Sequence, residues 1–397
     1  MTTNPSEKIW TRAFVLLCLA EFLGYAHNAL LTPTLPLYVT HLGSTPFWVG
    51  VVLAAFSVTS VFLRPLIGSW ADSWSYAGIL SAGALLLGLS VLLYLFPMVA
   101  TLVFANSLRG IGWAGLNTGG YSMLANNAPN TRRGEASGLY GAFQSCPHIF
   151  FPALALWLID APLGGFIPVI LLSAVLAFTG SGIALLLKQR FERPAQRAPS
   201  TDQPRGRPRL FTAVDPNVLV ASALLLSLHI SFPVTTGFLV LYTREIGIQG
   251  LGWYFLISGI TQVLTRPTLG LLSDRIGRGR SVAAALLLEL GGLLLLSLAP
   301  DLTVLVLGGM FYAAGTSMGT ATTMAMAITL AEPSRRGAVM ATFSTALPMS
   351  MGLGAMVTGI IVEVAGYSWM FVAAMAMVSM GLLLAVMKWS TLDPPAR

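Results

Sequence analysis

Charged residues are scarce in this chain of 397 residues. Only 9% are Asp, Glu, Lys or Arg, whereas soluble domains carry about 25%. Hydrophobic residues make up 55% of the chain, and the mean hydropathy is +0.77. This composition excludes a soluble enzyme and a disordered chain, since both need more charge. At about 20 residues per membrane span, the chain has length for twelve spans and no sizeable soluble domain.

Motifs that carry covalent or metal chemistry are also missing. The two cysteines, Cys18 and Cys146, lie in apolar runs and form no metal-spaced pair, so we expect neither a disulfide nor a zinc site. No GxxxxGK[ST] loop is present, which argues against ATP as the energy source. The sequence shows no set of an acid, a base and a nucleophile that would form a catalytic site. We therefore expect no enzyme activity and no bound cofactor or metal ion.

Apolar runs separated by polar breaks predict twelve helices. In the first half they lie at 12–39, 47–70, 78–97, 100–125, 136–159 and 165–187. In the second half they lie at 217–243, 251–272, 281–299, 303–330, 337–362 and 367–388. The segment 188–216 is rich in Pro and Arg, which is typical of a flexible linker. We thus predict two halves, 1–187 and 217–397.

The basic residues predict how the chain is oriented. Of the 22 Lys and Arg, we place Arg64, Arg109 and Arg266 within spans or at their ends. Eighteen of the other nineteen fall at the termini and the even-numbered connections, and only Arg244 falls on the other side. Because Lys and Arg are retained in cytoplasmic loops, we expect both termini and the linker in the cytoplasm of a bacterium, with the spans in its inner membrane.

The chain contains an internal duplication. RPLIGSWAD at 64–72 returns as RPTLGLLSD at 266–274, and TRRGEASGLY at 131–140 returns as SRRGAVMATF at 334–343. Gly112 and Gly315 are separated by 203 residues, as are the members of the second pair. Such a duplication predicts two six-helix halves in parallel arrangement, with a substrate site between them near mid-membrane.

One repeated loop carries a family resemblance. GLLSDRIGRGR at 270–280 fits the G-x-x-x-D-R-x-G-R-[KR] loop of the major facilitator superfamily, which the sequence resembles over essentially its whole length. The first-half loop, GSWADSWSYAG at 68–78, keeps Gly68 and Asp72 but lacks the arginines. The resemblance implies an all-α membrane fold of twelve transmembrane helices in two six-helix halves, with spans 1, 4, 7 and 10 lining a central cavity.

The same resemblance implies a cytoplasmic gate. Asp72 would approach the start of span 11, and Asp274 the start of span 5, when the cytoplasmic side closes. The alternative is that these charges only set topology and that the glycines only make tight turns. The gate residues are Gly68, Asp72, Arg132, Arg133, Gly270, Asp274, Arg275, Arg278, Arg335 and Arg336.

Two charged residues are predicted deep in the membrane: Glu21 in span 1 and Arg109 in span 4. Charges there are costly and need a partner or a wet cavity, and counting residues places the two at similar depth, so we predict that they pair. Poor solvation favours protonation of a carboxyl group, and a nearby Arg opposes it. We predict that Glu21 is the protonation switch and that Arg109 modulates it; a static ion pair is the alternative.

Other polar and aromatic residues on the predicted spans are candidates for the substrate cavity. Two of them share a helix face with Glu21 and two with Arg109, by their i, i+3, i+4 and i+7 spacing. The full set is Tyr25, Asn28, Trp113, Asn117, Gln144, His148, His229 and Tyr312. His27 lies off the Glu21 face and ranks lower. Glu289, in span 9, is expected to have a structural or lipid-interface role.

The cavity candidates carry little charge and are rich in apolar groups, which favours proton-coupled export of a small, partly apolar compound by alternating access. Drug–proton antiporters of the family carry G-x-x-x-G-P-x-x-G-G in span 5, and GAFQSCPHIFFP at 141–152 matches it only in part. Proton-linked uptake of a metabolite or chelate therefore stays open, as does a membrane sensor without transport. The expected partners are the substrate, protons and the lipid bilayer, without nucleic acid, and we expect a monomer.

Overall fold

The computed structural model describes residues 9–127, 132–191, 218–330 and 336–388, and the regular structure of these residues is helical throughout. In the first half, the spans numbered 1 to 6 are Arg12–His41, Pro46–Ser73, Tyr76–Leu92, Val99–Asn127, the pair Arg133–Ser145 and Pro147–Asp160, and Phe166–Phe191. In the second half, spans 7 to 12 are Leu219–His229 continuing through Leu239–Glu245, Gly252–Ile276, Arg278–Ser297, Leu302–Leu330, Arg336–Ala365 and Tyr367–Met387. The fold is therefore all-α, as the sequence predicts.

Ten of these spans are long and apolar enough to cross a membrane by composition alone, within the part of the chain that the structure describes. The other two, spans 4 and 8, are 29 and 25 residues long, so length does not disqualify them. Span 4 buries polar side chains such as Asn106 and Asn117 inside the protein, which lowers its hydropathy without exposing these groups to lipid. The twelve-helix membrane architecture is confirmed.

Two spans depart from simple helices. Span 5 breaks at Cys146, because Pro147 has no N–H to continue the preceding helix and starts a new one. Span 7 contains a π-helical turn, Val234–Phe238, directly after Pro233. A π-helical turn of this kind is frequent at functional sites and allows local rearrangement of the helix. Hydropathy predicts both spans but neither interruption.

The two halves meet mainly through two pairs of spans: span 2 packs on span 11, and span 5 packs on span 8. We call the end of the bundle where span 6 ends and span 7 begins the linker end, and the opposite end the far end. Close contacts between the halves lie toward the far end. A Cβ on Gly50 would be 3.2 Å from the Gly359 Cα, and one on Gly252 would be 3.5 Å from the Ala153 Cβ.

Polar contacts also join the halves at the far end. Arg244 Nη2, at the end of span 7, lies 2.8 Å from Asp160 Oδ1 at the end of span 5. The Phe47 backbone N–H donates to Glu363 Oε2 at 3.4 Å. By contrast, a Cβ placed on Gly68 near the linker end would meet nothing within 4 Å. In this conformation the halves are closed against each other at the far end.

Candidate functional site

Arg109 is almost completely buried, with 3% of its surface exposed, and it lies among neutral acceptors. Its Nη2 donates to Asn28 Oδ1 at 2.9 Å, and its Nη1 donates to Asn106 Oδ1 at 2.5 Å. Nη1 also reaches the Tyr94 hydroxyl at 3.3 Å, and Nε donates to His27 Nε2 at 3.4 Å. The guanidinium is thus held by four side chains from spans 1 and 4 and the end of span 3.

The predicted pairing of Glu21 with Arg109 is wrong. Among the described residues, Arg109 makes no ion pair, and Glu21 bonds to Gln144 instead. Glu21 lies nine residues from the linker end of span 1 and Arg109 lies 18 from the linker end of span 4, which correspond to about 14 and 27 Å. The prediction counted the depth of Arg109 from the far face of a hydrocarbon core ~30 Å thick. Span 4 is about 43 Å long, so Arg109 lies farther from the linker end than that count gives.

His27, which lies off the predicted Glu21 face, is a direct neighbour of Arg109. Its Nδ1 lies 3.1 Å from the Ser173 carbonyl oxygen and 2.8 Å from the Ser173 hydroxyl, on span 6. A proton on Nδ1, donated to that carbonyl, leaves Nε2 free to accept from Arg109. In the sequence, His27 directly precedes Asn28, and this position near the depth of Arg109 is the feature from which the contact could have been predicted.

Glu21 is fully buried in a second polar cluster nearer the linker end. Gln144 Nε2, on span 5, donates to Glu21 Oε2 at 3.0 Å, and the Tyr121 hydroxyl donates to Gln144 Oε1 at 3.1 Å. Glu21 Oε1 and the Tyr140 hydroxyl have no hydrogen-bond partner, and both face Gly120, where a Cβ would overlap them. The structure thus places Gln144 beside Glu21, where it has little exposed surface.

Four other predicted cavity residues come together next to Glu21, on the inner face of the first half. The Tyr25 ring lies 4.6 Å from the Trp113 ring and 6.1 Å from the His148 ring, measured between centroids. The Tyr25 hydroxyl donates to Asn117 Oδ1 at 2.8 Å. Phe56 extends this aromatic cluster toward Arg109, whose guanidinium carbon lies 5.3 Å from the Phe56 ring centre. The rings are inclined to one another, and together they offer a polarisable aromatic surface for a partly apolar ligand.

In the second half, His229 and Tyr312 are separate from that cluster. His229 Nε2 lies 3.3 Å from the Thr320 hydroxyl, which joins span 7 to span 10. Tyr312 was predicted to line the cavity, but it is buried with 6% of its surface exposed, and its hydroxyl lies 3.0 Å from the Ser231 hydroxyl. The reason is the polar partner on span 7, which draws the ring inward between the helices.

Glu289 does not lie at the lipid interface, so of the two expected roles, structural or at the lipid interface, the second is wrong. It is fully buried, and the Ser231 hydroxyl donates to its Oε1 at 2.5 Å, while its Oε2 has no partner. Span 9 is not among the four spans that the resemblance implies for the cavity lining, but each helix of a bundle also has an inner face, and Glu289 lies on that face. In the described ranges, no group of three His, Cys, Asp or Glu is placed to hold a metal ion.

The structure describes only part of the predicted gate. Arg132 forms an ion pair with Glu135 at 2.7 Å, and Arg278 Nη2 donates to Thr329 at 2.9 Å, each within its own half. Arg275 is exposed. Arg335 and the side chains of the remaining non-glycine gate residues lie outside the described residues, namely Asp72, Arg133, Asp274 and Arg336. Of the glycines, Gly68 faces open space, and the surroundings of Gly270 are likewise outside the described part.

Comparison with known proteins fits this architecture. The family model of the Major Facilitator Superfamily matches residues 17–251 and 222–397. The multidrug resistance protein MdtG of Yersinia enterocolitica is 28% identical over 80% of this chain and 78% of its own length. The staphylopine export protein of Staphylococcus aureus is 20% identical over 96% of this chain and 97% of its own.

Solved structures show the same fold. The crystal structure of a bacterial homologue of the human lysosomal transporter Spinster superimposes with a TM-score of 0.76, covering 99% of this chain and all of that one at 14% identity. Twelve helical spans, the internal duplication and the match of the family model along nearly the whole chain agree with one another. The chain belongs to the Major Facilitator Superfamily and is a membrane transporter, not an enzyme.

Proposed function

We propose that this protein is a secondary active transporter that exports a small, partly apolar compound in exchange for protons, by alternating access. Two relatives support this direction: one is named an export protein, and the other is named a multidrug resistance protein, and export of drugs is one way to resist them. The aromatic cluster of Tyr25, Trp113, His148 and Phe56 supports the proposed substrate chemistry, because its members offer ring surface and carry no formal charge themselves. The guanidinium groups of Arg109 and Arg64 lie near Phe56 and Tyr25.

The observation that carries the proton coupling is the position of Glu21. The carboxyl is fully buried, one oxygen has a single amide partner, and the other oxygen has none. An ionised carboxylate in such a place costs several kcal/mol, so the buried form favours a bound proton. Since no cation is bonded to Glu21 in the described residues, its ionisation depends on what enters the cavity beside it.

The substrate surface and the proton site are adjacent. Tyr25 follows Glu21 by four residues, so the two side chains lie one helical turn apart, about 5–6 Å, on the same face of span 1. A compound bound against Tyr25 and Trp113 changes the solvation of Glu21. A substrate that favours the ionised carboxylate expels the proton, and a returning proton expels the substrate. This competition gives exchange without a direct Glu21–Arg109 bond.

We also propose the orientation that the basic residues predict, with both termini in the cytoplasm of a bacterial cell and the spans in its inner membrane. The far end then faces outward, and Arg244 is the basic residue that departs from the positive-inside rule. Its ion pair with Asp160 gives it a role in holding the outer side closed. The crossed contacts of the cytoplasmic gate and the monomeric state remain predictions.

Reconstituted protein tests the proposal. Liposomes loaded with a pH-sensitive dye receive ethidium, taurocholate or chloramphenicol outside, three compounds that do not titrate near neutral pH. Exchange predicts that an entering compound drives protons out, so that the lumen becomes alkaline. Glu21→Gln is expected to abolish this signal, and Glu245→Gln, a change at an exposed carboxyl group, is the matched control. No proton movement with any of the three compounds, or an unchanged signal in Glu21→Gln, contradicts the proposal.

Proton-linked uptake is the second candidate. It is favoured by span 5, where the break at Cys146 and Pro147 lacks the surrounding glycines of the antiporter pattern. The same assay separates the two candidates by sign, because a compound that enters together with protons acidifies the lumen.

A further inference from the structure

We propose that Glu289, together with Ser231 and Tyr312, forms a second proton-binding site, located in the second half of the transporter. The inference deepens the proposed function, because a second exchangeable proton changes the stoichiometry of the same transport reaction. It stands on different residues from Glu21, and the experiment below separates the two sites.

The first observation is the geometry of the carboxyl group. Glu289 is fully buried on span 9, its Oε1 accepts the Ser231 hydroxyl at 2.5 Å, and its Oε2 has no partner. The Tyr312 hydroxyl lies 3.0 Å from the Ser231 hydroxyl, so the three side chains form a chain from span 9 through span 7 to span 10. A bound proton on Oε2 removes the charge and leaves the Ser231 contact intact.

The second observation is the absence of a counterion in the described surroundings. The titratable side chain from span 10 is Tyr312, and the one from span 8 is Tyr254, whose hydroxyl donates to the Thr235 carbonyl oxygen at 3.2 Å. On span 7, His229 is engaged with Thr320, and Arg266 of span 8 turns toward Ser145 of span 5 at 3.2 Å. Span 12, which packs on span 9, contains no Asp, Glu, Lys, Arg or His.

The third observation comes from the duplication. Ser231 and Tyr312 follow Asn28 and Arg109 by 203 residues, the offset that also separates Gly112 from Gly315. The same bond is present in both halves: Asn28 to Arg109 at 2.9 Å and Ser231 to Tyr312 at 3.0 Å. The first half places a permanent cation here, and the second half places a carboxyl group beside a tyrosine. Of these two, only the carboxyl group is able to exchange a proton.

The fourth observation is a route for exchange. Ser231 precedes Pro233 and the π-helical turn Val234–Phe238, a place where span 7 can change its hydrogen bonding without unfolding. When that segment moves with the cavity, the Ser231 hydroxyl leaves Glu289 and water reaches the carboxyl group. The proton then passes from Glu289 Oε2 to water, and the ionised carboxylate takes a proton from water before the Ser231 hydroxyl returns to it.

Infrared difference spectroscopy of the purified full-length protein tests the site without a substrate. A step from acidic to alkaline buffer is expected to remove carbonyl-stretch intensity of protonated carboxyl groups in two components. Glu21→Gln should remove one component and Glu289→Gln the other, while Glu245→Gln changes neither. Ser231→Ala, which keeps the carboxyl, should shift the Glu289 component to higher frequency because its hydrogen bond is lost.

The outcomes separate the two claims. Loss of the Glu289 component with no Glu21 component supports the second site and contradicts the proposed role of Glu21. A spectrum that is the same in wild type, Glu289→Gln and Ser231→Ala overturns the second site. In reconstituted protein, Glu289→Gln is further expected to lower the number of protons moved per transported molecule about twofold, since one of two carriers is lost.

Discussion

The two halves of the transporter make the same contact with different chemistry. In the first half, Asn28 of span 1 accepts from Arg109 of span 4, and in the second half Ser231 of span 7 bonds to Tyr312 of span 10. The first pair holds the Arg109 guanidinium, which stays protonated. The second pair connects to the Glu289 carboxyl group, which has no counterion in the described structure. Duplication has kept the helix geometry and separated the roles of the two positions.

This difference divides the buried charges into two kinds. Arg109 is satisfied by four neutral partners and supplies a constant positive field near Phe56 and the aromatic cluster. Glu21 and Glu289 each keep one oxygen without a partner, which is the condition under which binding and release of a proton changes the energy most. Proton exchange is therefore expected at the carboxyl groups of Glu21 and Glu289. The guanidinium of Arg109 is expected to hold its neighbours in position.

The largest effect on stability is expected when Arg109, the charged residue of the two equivalent contacts, is replaced. Arg109→Ala leaves Asn28 Oδ1 without its donor, and Asn106 Oδ1 and the Tyr94 hydroxyl keep only the bond that they make with each other. Each lost contact of a charged donor is worth about 1–3 kcal/mol, so the variant should lose about 3 kcal/mol or more. Tyr312→Phe, the change at the equivalent position, removes one hydroxyl contact and should cost about 1 kcal/mol. Unfolding with SDS in detergent micelles measures both variants. Equal losses would refute the difference between the halves.

The next effect concerns the tight packing around Glu21. Gly120→Ala places a methyl group on Glu21 Oε1 and the Tyr140 hydroxyl, so it should cost about 1–3 kcal/mol and reduce proton-coupled transport. Gly68→Ala is the matched control, because its methyl group meets nothing within 4 Å. Thermal unfolding in detergent should show a clear loss for Gly120→Ala only. If both variants melt like wild type, the Glu21 site is not packed as described.

A third test compares the two carboxyl groups in transport. Glu21→Gln should reduce proton-driven transport more than about tenfold, because the substrate surface lies one helical turn from this group. Glu289→Gln should keep transport and only lower the proton-to-substrate ratio. Initial rates and dye signals in the same liposomes give both quantities. Loss of all transport in Glu289→Gln with normal transport in Glu21→Gln would reverse the assignment.

The smallest effect is expected at the far end. The Arg244–Asp160 pair is exposed, with 48% and 65% of the side-chain surfaces accessible, so Arg244→Ala should shift the balance of conformations by about 0.2–1 kcal/mol. Spin labels at the exposed positions Thr45 and Ser368 report the separation of the halves there. A larger population of long distances is expected, and high salt should reproduce it in the wild type. No change in either experiment would show that the pair is not a latch.

Much of the fold could be predicted from the sequence, and less of the site. Hydropathy and the duplication predict twelve helices in two halves, because spanning a membrane dictates length and composition. The predicted Glu21–Arg109 pair failed, because counting residues from assumed membrane faces ignores helix length, and side-chain direction is set by packing. The lipid-interface role considered for Glu289 failed for a related reason, because a single charged residue on an apolar helix does not tell which face of that helix is inward. The face was set by Ser231 and Tyr312.

The central claim is that Glu21 releases a proton when a substrate binds beside it. The most direct measurement adds whichever of ethidium, taurocholate or chloramphenicol is transported to purified protein in weakly buffered detergent, and follows the pH with an indicator dye. The account predicts proton release by wild type and Glu245→Gln, and none by Glu21→Gln at a concentration that still saturates the protein. Equal proton release by wild type and Glu21→Gln would contradict it.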